Sequence, residues 1–191
     1  MPLRLSADTV GEALDRADSR HWTRTPPRSP HARLAYVLKH HHDTAALARH
    51  LHTTTHDLDA LHIPRQTPQD HPLHQALERE VIRLWQPRVR RRAHNAILAH
   101  DGQMMLSFRA WLGFTAAAGS SDDPRLRFLT LSLTAPYRER LFTAQHNRAS
   151  EADLRAILSE ALGVCYFYRD RPAHTREKAV LERIDFLEFY Y

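Results

Sequence analysis

The chain has 191 residues, 42% hydrophobic and 26% charged, with a formal net charge of +5. That suffices for one domain, or two small ones, around an apolar core. A single cysteine excludes an intrachain disulfide, no apolar run approaches the ~20 residues that cross a bilayer, and the N-terminus lacks the apolar stretch of a signal peptide, so an intracellular, soluble protein is expected. The charge is uneven. Residues 1–100 hold fifteen Lys and Arg against ten Asp and Glu, whereas residues 101–191 hold twelve of each. Thirteen of the fifteen histidines also fall in the first part, which is thereby the better suited to face a polyanion.

In chain order, Ser6 can cap a first helix to about residue 17, with Val10, Ala13, Leu14 and Ala17 on one face. Residues 19–30 are proline-rich and read as an extended arm. Pro30 opens a second helix around Leu34, Val37 and Leu38. Asp43 can cap a third over residues 44–51, and Thr53 or Thr54 a fourth to about residue 61. A proline-rich loop over residues 64–72 precedes a long helix over residues 73–85, which packs Leu77, Val81, Ile82 and Trp85. Pro87 interrupts it, and residues 88–99 resume it. The character then changes. Residues 103–112 have strand-like composition. Residues 127–134 alternate strictly, with Leu129, Leu131 and Leu133 on one face and Phe128, Thr130 and Ser132 on the other. A helix from residue 135 to about 145 follows. Ser150 with Asp153 marks a capping box for another, running to about residue 168. Residues 180–189 form a last strand. The expected fold is α+β: a helical, basic part over residues 1–100, and a part over residues 101–191 with the order β-β-α-α-β. Strand, helix, turn and helix over residues 127–167 have the order of a ribbon-helix-helix protomer. In that architecture strands of two chains pair and send side chains, here Thr130 and Ser132, into the major groove. An ordinary α+β packing unit has the same order.

Several segments invite a chemical reading. Residues 113–127 place three hydroxyls, Thr115, Ser120 and Ser121, among residues with almost no side chain, followed by Asp122, Asp123 and Pro124. Such a segment either links two strands as a solvated turn or carries a hydroxyl into another protein's active site. Arg88, Arg90, Arg91 and Arg92 form the densest charge run. On a helix Arg88, Arg91 and Arg92 share a side and can follow a phosphate backbone. Residues 43–62 have helix-turn-helix rhythm, but the second helix offers threonine, histidine and aspartate where a base reader offers Arg, Lys, Gln or Asn. His40, His41 and His42, with His50, His52 and His56, lack the fixed spacing on one face that metal ligands need, and no metal is expected. Cys165 sits in an apolar run as a small hydrophobe. No convergent base, nucleophile and oxyanion donors mark an enzyme.

Residues 11–17 (GEALDRA), 23–29 (TRTPPRS), 77–80 (LERE) with 85–87 (WQP), and 114–117 (FTAA) with 122–125 (DDPR) keep their order along the chain, followed by Leu129-Thr130, Ala144-Gln145 and Ile184-Asp185-Phe186. In this ordered set the chain resembles the telomere terminal proteins of actinobacterial linear chromosomes and plasmids. The resemblance implies a protein attached covalently to the 5′ ends of linear DNA, in the cytoplasm at the nucleoid. There it primes end-patching by accepting a deoxynucleotide on a threonine hydroxyl. Thr115 matches the acceptor, with Ser120 and Ser121 as alternatives. The implied partners are telomeric DNA, a telomere-associated protein and a DNA polymerase, with no membrane. Mg²⁺ and dNTP come through the polymerase, so the protein is a substrate without a cofactor of its own, self-catalysed nucleotidylation being left open. Phe114 and Ala118 stand where the family has Tyr and Pro, and residues 43–62 hold fewer Lys and Arg than the family. The other reading is a non-covalent DNA-binding homodimer of the ribbon-helix-helix or helix-turn-helix type.

Overall fold

The computed structural model describes residues 7–41, 43–61, 72–114, 124–167 and 179–191. Among these the chain is α+β, with eight helices and one three-stranded antiparallel sheet. The helices are α1 (Val10–Asp18), α2 (Pro30–Leu38), α3 (Thr44–His50), α4 (Thr55–Ala60), α5 (Pro72–Leu84), α6 (Pro87–Ala99), α7 (Ala135–His146) and α8 (Glu151–Leu162). The strands are β1 (Met104–Phe114), β2 (Arg125–Leu133) and β3 (Ala179–Tyr190). Pro30, Pro72 and Pro87 each stand first in a helix, where a missing N–H costs nothing.

Two compact units emerge: Met1–His21 with Arg90–Tyr191, and Trp22–Val89. The sequence boundary near residue 100 is therefore replaced by crossings at residues 21/22 and 89/90. The cause is the apolar face of α1. Val10, Ala13, Leu14 and Ala17 are buried in the same core as the strands, so a shift in composition along the chain does not mark the unit.

In the α+β unit β1 is the central strand, with β2 and β3 antiparallel on either side. Met104, Leu106, Phe108, Ala110 and Leu112 point alternately into a core shared with α1, α7 and α8. Helix starts are fixed by side-chain caps. Thr9, rather than Ser6, caps α1, its hydroxyl accepting from the Glu12 amide at 3.2 Å. Ser6 lies outside the described residues. The Val10 and Gly11 amides donate to the Glu151 carboxylate at 2.8 and 3.0 Å, which ties the start of α1 to the start of α8. Ser150 and Asp153 form the capping box of α8.

At the centre of this unit is a buried carboxylate. Asp18, fully buried at the end of α1, accepts from His94 Nε2 at 2.6 Å, the Tyr191 hydroxyl at 2.8 Å and Gln145 Nε2 at 2.9 Å. Arg90 Nε lies 2.8 Å from its second oxygen, and Arg90 NH2 is 3.0 Å from Asp15. Phe142 stacks on the His94 ring. His94 Nδ1 is 3.0 Å from His146 Nε2. Burial, then the neighbouring His94 and arginine charges, lower the His146 pKa from 6.5.

The helical unit packs α2 to α5 around Leu34, Val37, Leu47, Leu58, Leu77 and Val81. Of the expected arm over residues 19–30, Ser19–His21 instead form a 3-10 turn; residues 22–29 are neither helix nor strand, and there the Thr23 amide donates to Gln86 Oε1 at 3.0 Å and Trp85 Nε1 to the Arg24 carbonyl at 3.1 Å. Asp43 caps α3, and Thr54 with Asp57 forms the capping box of α4. Gln86 has a left-handed φ of 46° and separates α5 from α6. Glu80 of α5 is nearly buried and accepts from Arg83 Nε and NH2 at 2.8 and 2.5 Å. Burial opposes its ionisation, but Arg83, His41 and His50 outweigh that and hold its pKa at about 2.

Two outcomes follow. Asp18→Ala strands the Arg90 charge and His94 in the core and lowers unfolding free energy by about 3–5 kcal/mol in a urea titration; a loss below about 1 kcal/mol overturns the role given to this carboxylate. Because the folded state disfavours protonated His146, the stability it contributes is fully present above pH 6.5 and is lost as pH falls below that value. His146→Gln is accordingly less sensitive than wild type to acidification below pH 6.5 in the same titration, and parallel curves for the two contradict this.

Candidate nucleic-acid interface

Strand alternation gives the sheet two faces. The helices cover one. The other presents cross-strand rows fixed by register: Leu126–Trp111–Arg183, Phe128–Arg109–Phe186, Thr130–Ser107–Glu188 and Ser132–Met105–Tyr190. The register slips on β3 between the partners of Arg109 and Ala110 and again between those of Trp111 and Leu112. The unpaired residues there are Asp185 and Glu182, so both carboxylates are set off the rows.

Phe128 is 72% exposed on this face, and Leu126 and Tyr190 are also exposed. Leaving a phenylalanine in water forfeits roughly 1.5–3 kcal/mol of burial. Guanidinium groups lie among the rings. Arg183 sits over the Trp111 ring, 4.9 Å from its centroid, and is 3.1 Å from Asp185. Arg109, directly opposite Phe128, reaches Asp185 only at 3.7 Å and leaves most of its side chain in solvent. The far end is self-occupied: Arg20 lies over the Tyr190 ring and pairs with Glu188 at 2.7 Å, and the hydrogen bond to Glu188 raises the Tyr190 pKa. Open rings and arginines therefore concentrate in the two rows that contain Trp111 and Arg109. Planar side chains on an antiparallel sheet stack unpaired bases, and adjacent arginines meet the phosphates.

The sequence-derived candidates distribute as follows. Thr130 and Ser132 are exposed on this same face, and the Thr130 hydroxyl donates to Ser107 Oγ at 3.1 Å. Arg88, Arg91 and Arg92 are exposed on α6. Arg90 is not available to DNA: helical periodicity turns it inward from the other three, onto Asp15 and Asp18. Thr115, Ser120 and Ser121 lie outside the described residues. The strands that flank them meet at Leu112 opposite Arg125. The surface of α4 consists of Thr55, His56 and Asp59, with Asp57 committed to its cap, and it offers no Lys or Arg. Phe128 was readable from alternation in β2. Trp111, Arg109 and Arg183 were not, because only the register sets them beside it.

No protein-family model, curated protein or solved structure matches this chain.

Phe128→Ala is expected to weaken binding of a fluorescent oligo-dT by the roughly 1–3 kcal/mol of one base–aromatic stack. Unfolding free energy changes by no more than about 0.5 kcal/mol, as for a surface position. Unchanged anisotropy titrations with the oligonucleotide would remove Phe128 from the interface.

Proposed function

We propose that this chain is a DNA-end protein that holds single-stranded DNA on the open face of its sheet and primes synthesis from the Thr115 hydroxyl. The observation that carries the reading is the Phe128–Arg109 and Trp111–Arg183 surface. Phe128, Arg109 and Trp111 lie on β1 and β2, the two strands that the Thr115 segment joins in sequence, and Arg183 lies on β3 beside them. The resemblance to telomere terminal proteins read from the sequence suggests the role of that threonine, and the exposed Arg88, Arg91 and Arg92 add phosphate-binding charge on α6.

In the reaction, Thr115 Oγ attacks the α-phosphorus of a dNTP. The Oγ–P bond forms as the α–β phosphoanhydride bond breaks, the hydroxyl proton passes to a base of the polymerase site, and pyrophosphate leaves. Threonine is a weak nucleophile at neutral pH, and the partner polymerase supplies the Mg²⁺ that activates it and steadies the leaving group. This protein's part is to place the hydroxyl in line and hold the template strand nearby.

The single strand is favoured over duplex DNA on geometric grounds. β2 pairs along its length with β1 of its own chain, so a two-chain ribbon built across its other edge would be six strands wide. At about 4.8 Å per strand that exceeds the ~12 Å major groove. Thr130 and Ser132 then serve as hydrogen-bonding neighbours of the stacked bases.

The deciding experiment incubates the protein with labelled dNTP, Mg²⁺ and a host extract active on a known terminal protein. Label on wild type and none on Thr115→Val is the expected result. Label on both moves the acceptor to Ser120 or Ser121, tested by alanine at each. No label on either rejects priming and leaves a non-covalent single-strand binder.

A further inference from the structure

The helical unit brings together three side chains that lie far apart in sequence. His41 follows α2, His50 closes α3 and Glu80 lies within α5. His41 Nε2 is 3.2 Å from Glu80 Oε1, and His50 Nε2 is 3.2 Å from Glu80 Oε2. The candidate donor atoms all lie within 4.8 Å of one another. A zinc ion bonded at 2.0–2.1 Å has ligand atoms about 3.3 Å apart along a tetrahedral edge. Each histidine–carboxylate spacing is close to that edge, one to each Glu80 oxygen, so small side-chain rotations bring the three donors onto one ion.

The geometry points to a binding site for a zinc-class divalent ion, with His41 Nε2, His50 Nε2 and the Glu80 carboxylate as protein ligands. One ion would join three of the unit's helical segments. Each imidazole binds as the neutral Nδ1–H tautomer through its Nε2 lone pair. Glu80 supplies a charged oxygen in a nearly dry setting, its side chain 5% exposed, while His50, 44% exposed, leaves a side open for water as a fourth ligand. Arg83 already pairs with both Glu80 oxygens, which gives the carboxylate its one counter-charge. Two further imidazoles aimed at the same group exceed what neutralisation requires. The Arg83 side chain is one-third exposed and can turn to solvent when a dication takes its place. Spacing along one helix argued against a metal, but these ligands come from three segments. The inference does not depend on the priming role.

The test uses the full chain, stripped of metal with a chelator and titrated with ZnCl₂ by calorimetry and thermal melting. Cobalt(II) serves as a visible-absorption probe of tetrahedral N/O ligation. His50→Ala is the main variant because its exposure spares the fold, checked by far-UV circular dichroism, and His56→Ala, exposed on α4, is the control. Wild type and His56→Ala should bind one equivalent of Zn²⁺ with a rise in Tm. His50→Ala and His41→Ala should each bind more weakly by at least the 10–100-fold typical of losing a mere supporting partner, with the tetrahedral cobalt bands gone. Absence of a saturable one-equivalent site overturns the proposal. So does zinc affinity that survives both ligand variants, which would assign binding to other histidines and leave the cluster as an ion-pair network.

Discussion

The Asp18 carboxylate is the constraint that ties the separate segments of the α+β unit together. A charge sealed from water is tolerated only when its oxygens are fully engaged. Here His94, Arg90, Gln145 and Tyr191 must arrive together. They come from α6, α7 and the residue after β3, so satisfying one side chain at the end of α1 fixes three other parts of the chain around it. Hydrophobicity marks the face: Met104, Leu106, Phe108, Ala110 and Leu112 are buried on one side, whereas the other mixes Trp111 and Phe128 with Arg109, Ser107, Thr130 and Glu188. The polar cluster sits on the Phe108 side, where Phe142 stacks on His94, and it fixes how the helical layer is placed there.

The opposite face remains uncovered, and its chemistry is specific. An ordinary solvent face of a half-buried sheet is polar. Thr130, Ser107, Ser132 and Glu188 follow that rule. The two rows nearest the end of β1 break it, with rings on one strand and guanidinium groups on the next. The β3 bulges assist by setting Asp185 and Glu182 off the rows, so that Arg109 and Arg183 are steadied without being fully neutralised.

Local rules made much of the fold legible. The leucines of β2, the capping box of α8, the Asp43 cap of α3 and Pro30 at the start of α2 each depend on residues within a few positions, whereas the sequence reading places Pro72 at the end of a loop and Pro87 at a break, and both open helices. Long-range pairing stayed hidden. Asp18 and His94 are 76 positions apart, and Asp18 and Tyr191 are 173 apart, so neither spacing nor composition reveals them. The same limit explains Arg90. In the charge run it looks like its neighbours, and only its position opposite α1 turns it into a buried counter-ion. His41, His50 and Glu80 were invisible as a group because a cluster of histidines in sequence suggests ligands beside one another, whereas the fold brings together one residue from each of three segments. At the interface Thr130 and Ser132 were found by alternation, while Arg109 and Arg183 required the register.

A second copy of the chain is the other natural occupant of an open sheet face, and the charges argue against it. Stacking two such faces would bury Arg109, Arg183, Asp185 and Glu188 on both sides. The desolvation of paired charges offsets much of what the rings gain, and Arg109 holds its carboxylate too loosely, at 3.7 Å, to go dry cheaply. A nucleotide strand, the occupant we propose, would avoid that cost. Its bases would cover the rings while its phosphates stayed at the wet margin, so Arg109 and Arg183 would exchange water and a distant carboxylate for a phosphate without leaving solvent. Aromatic planes separated by half-neutralised guanidinium groups make the face a poor hydrophobic interface and suit that proposed occupant better than a second copy.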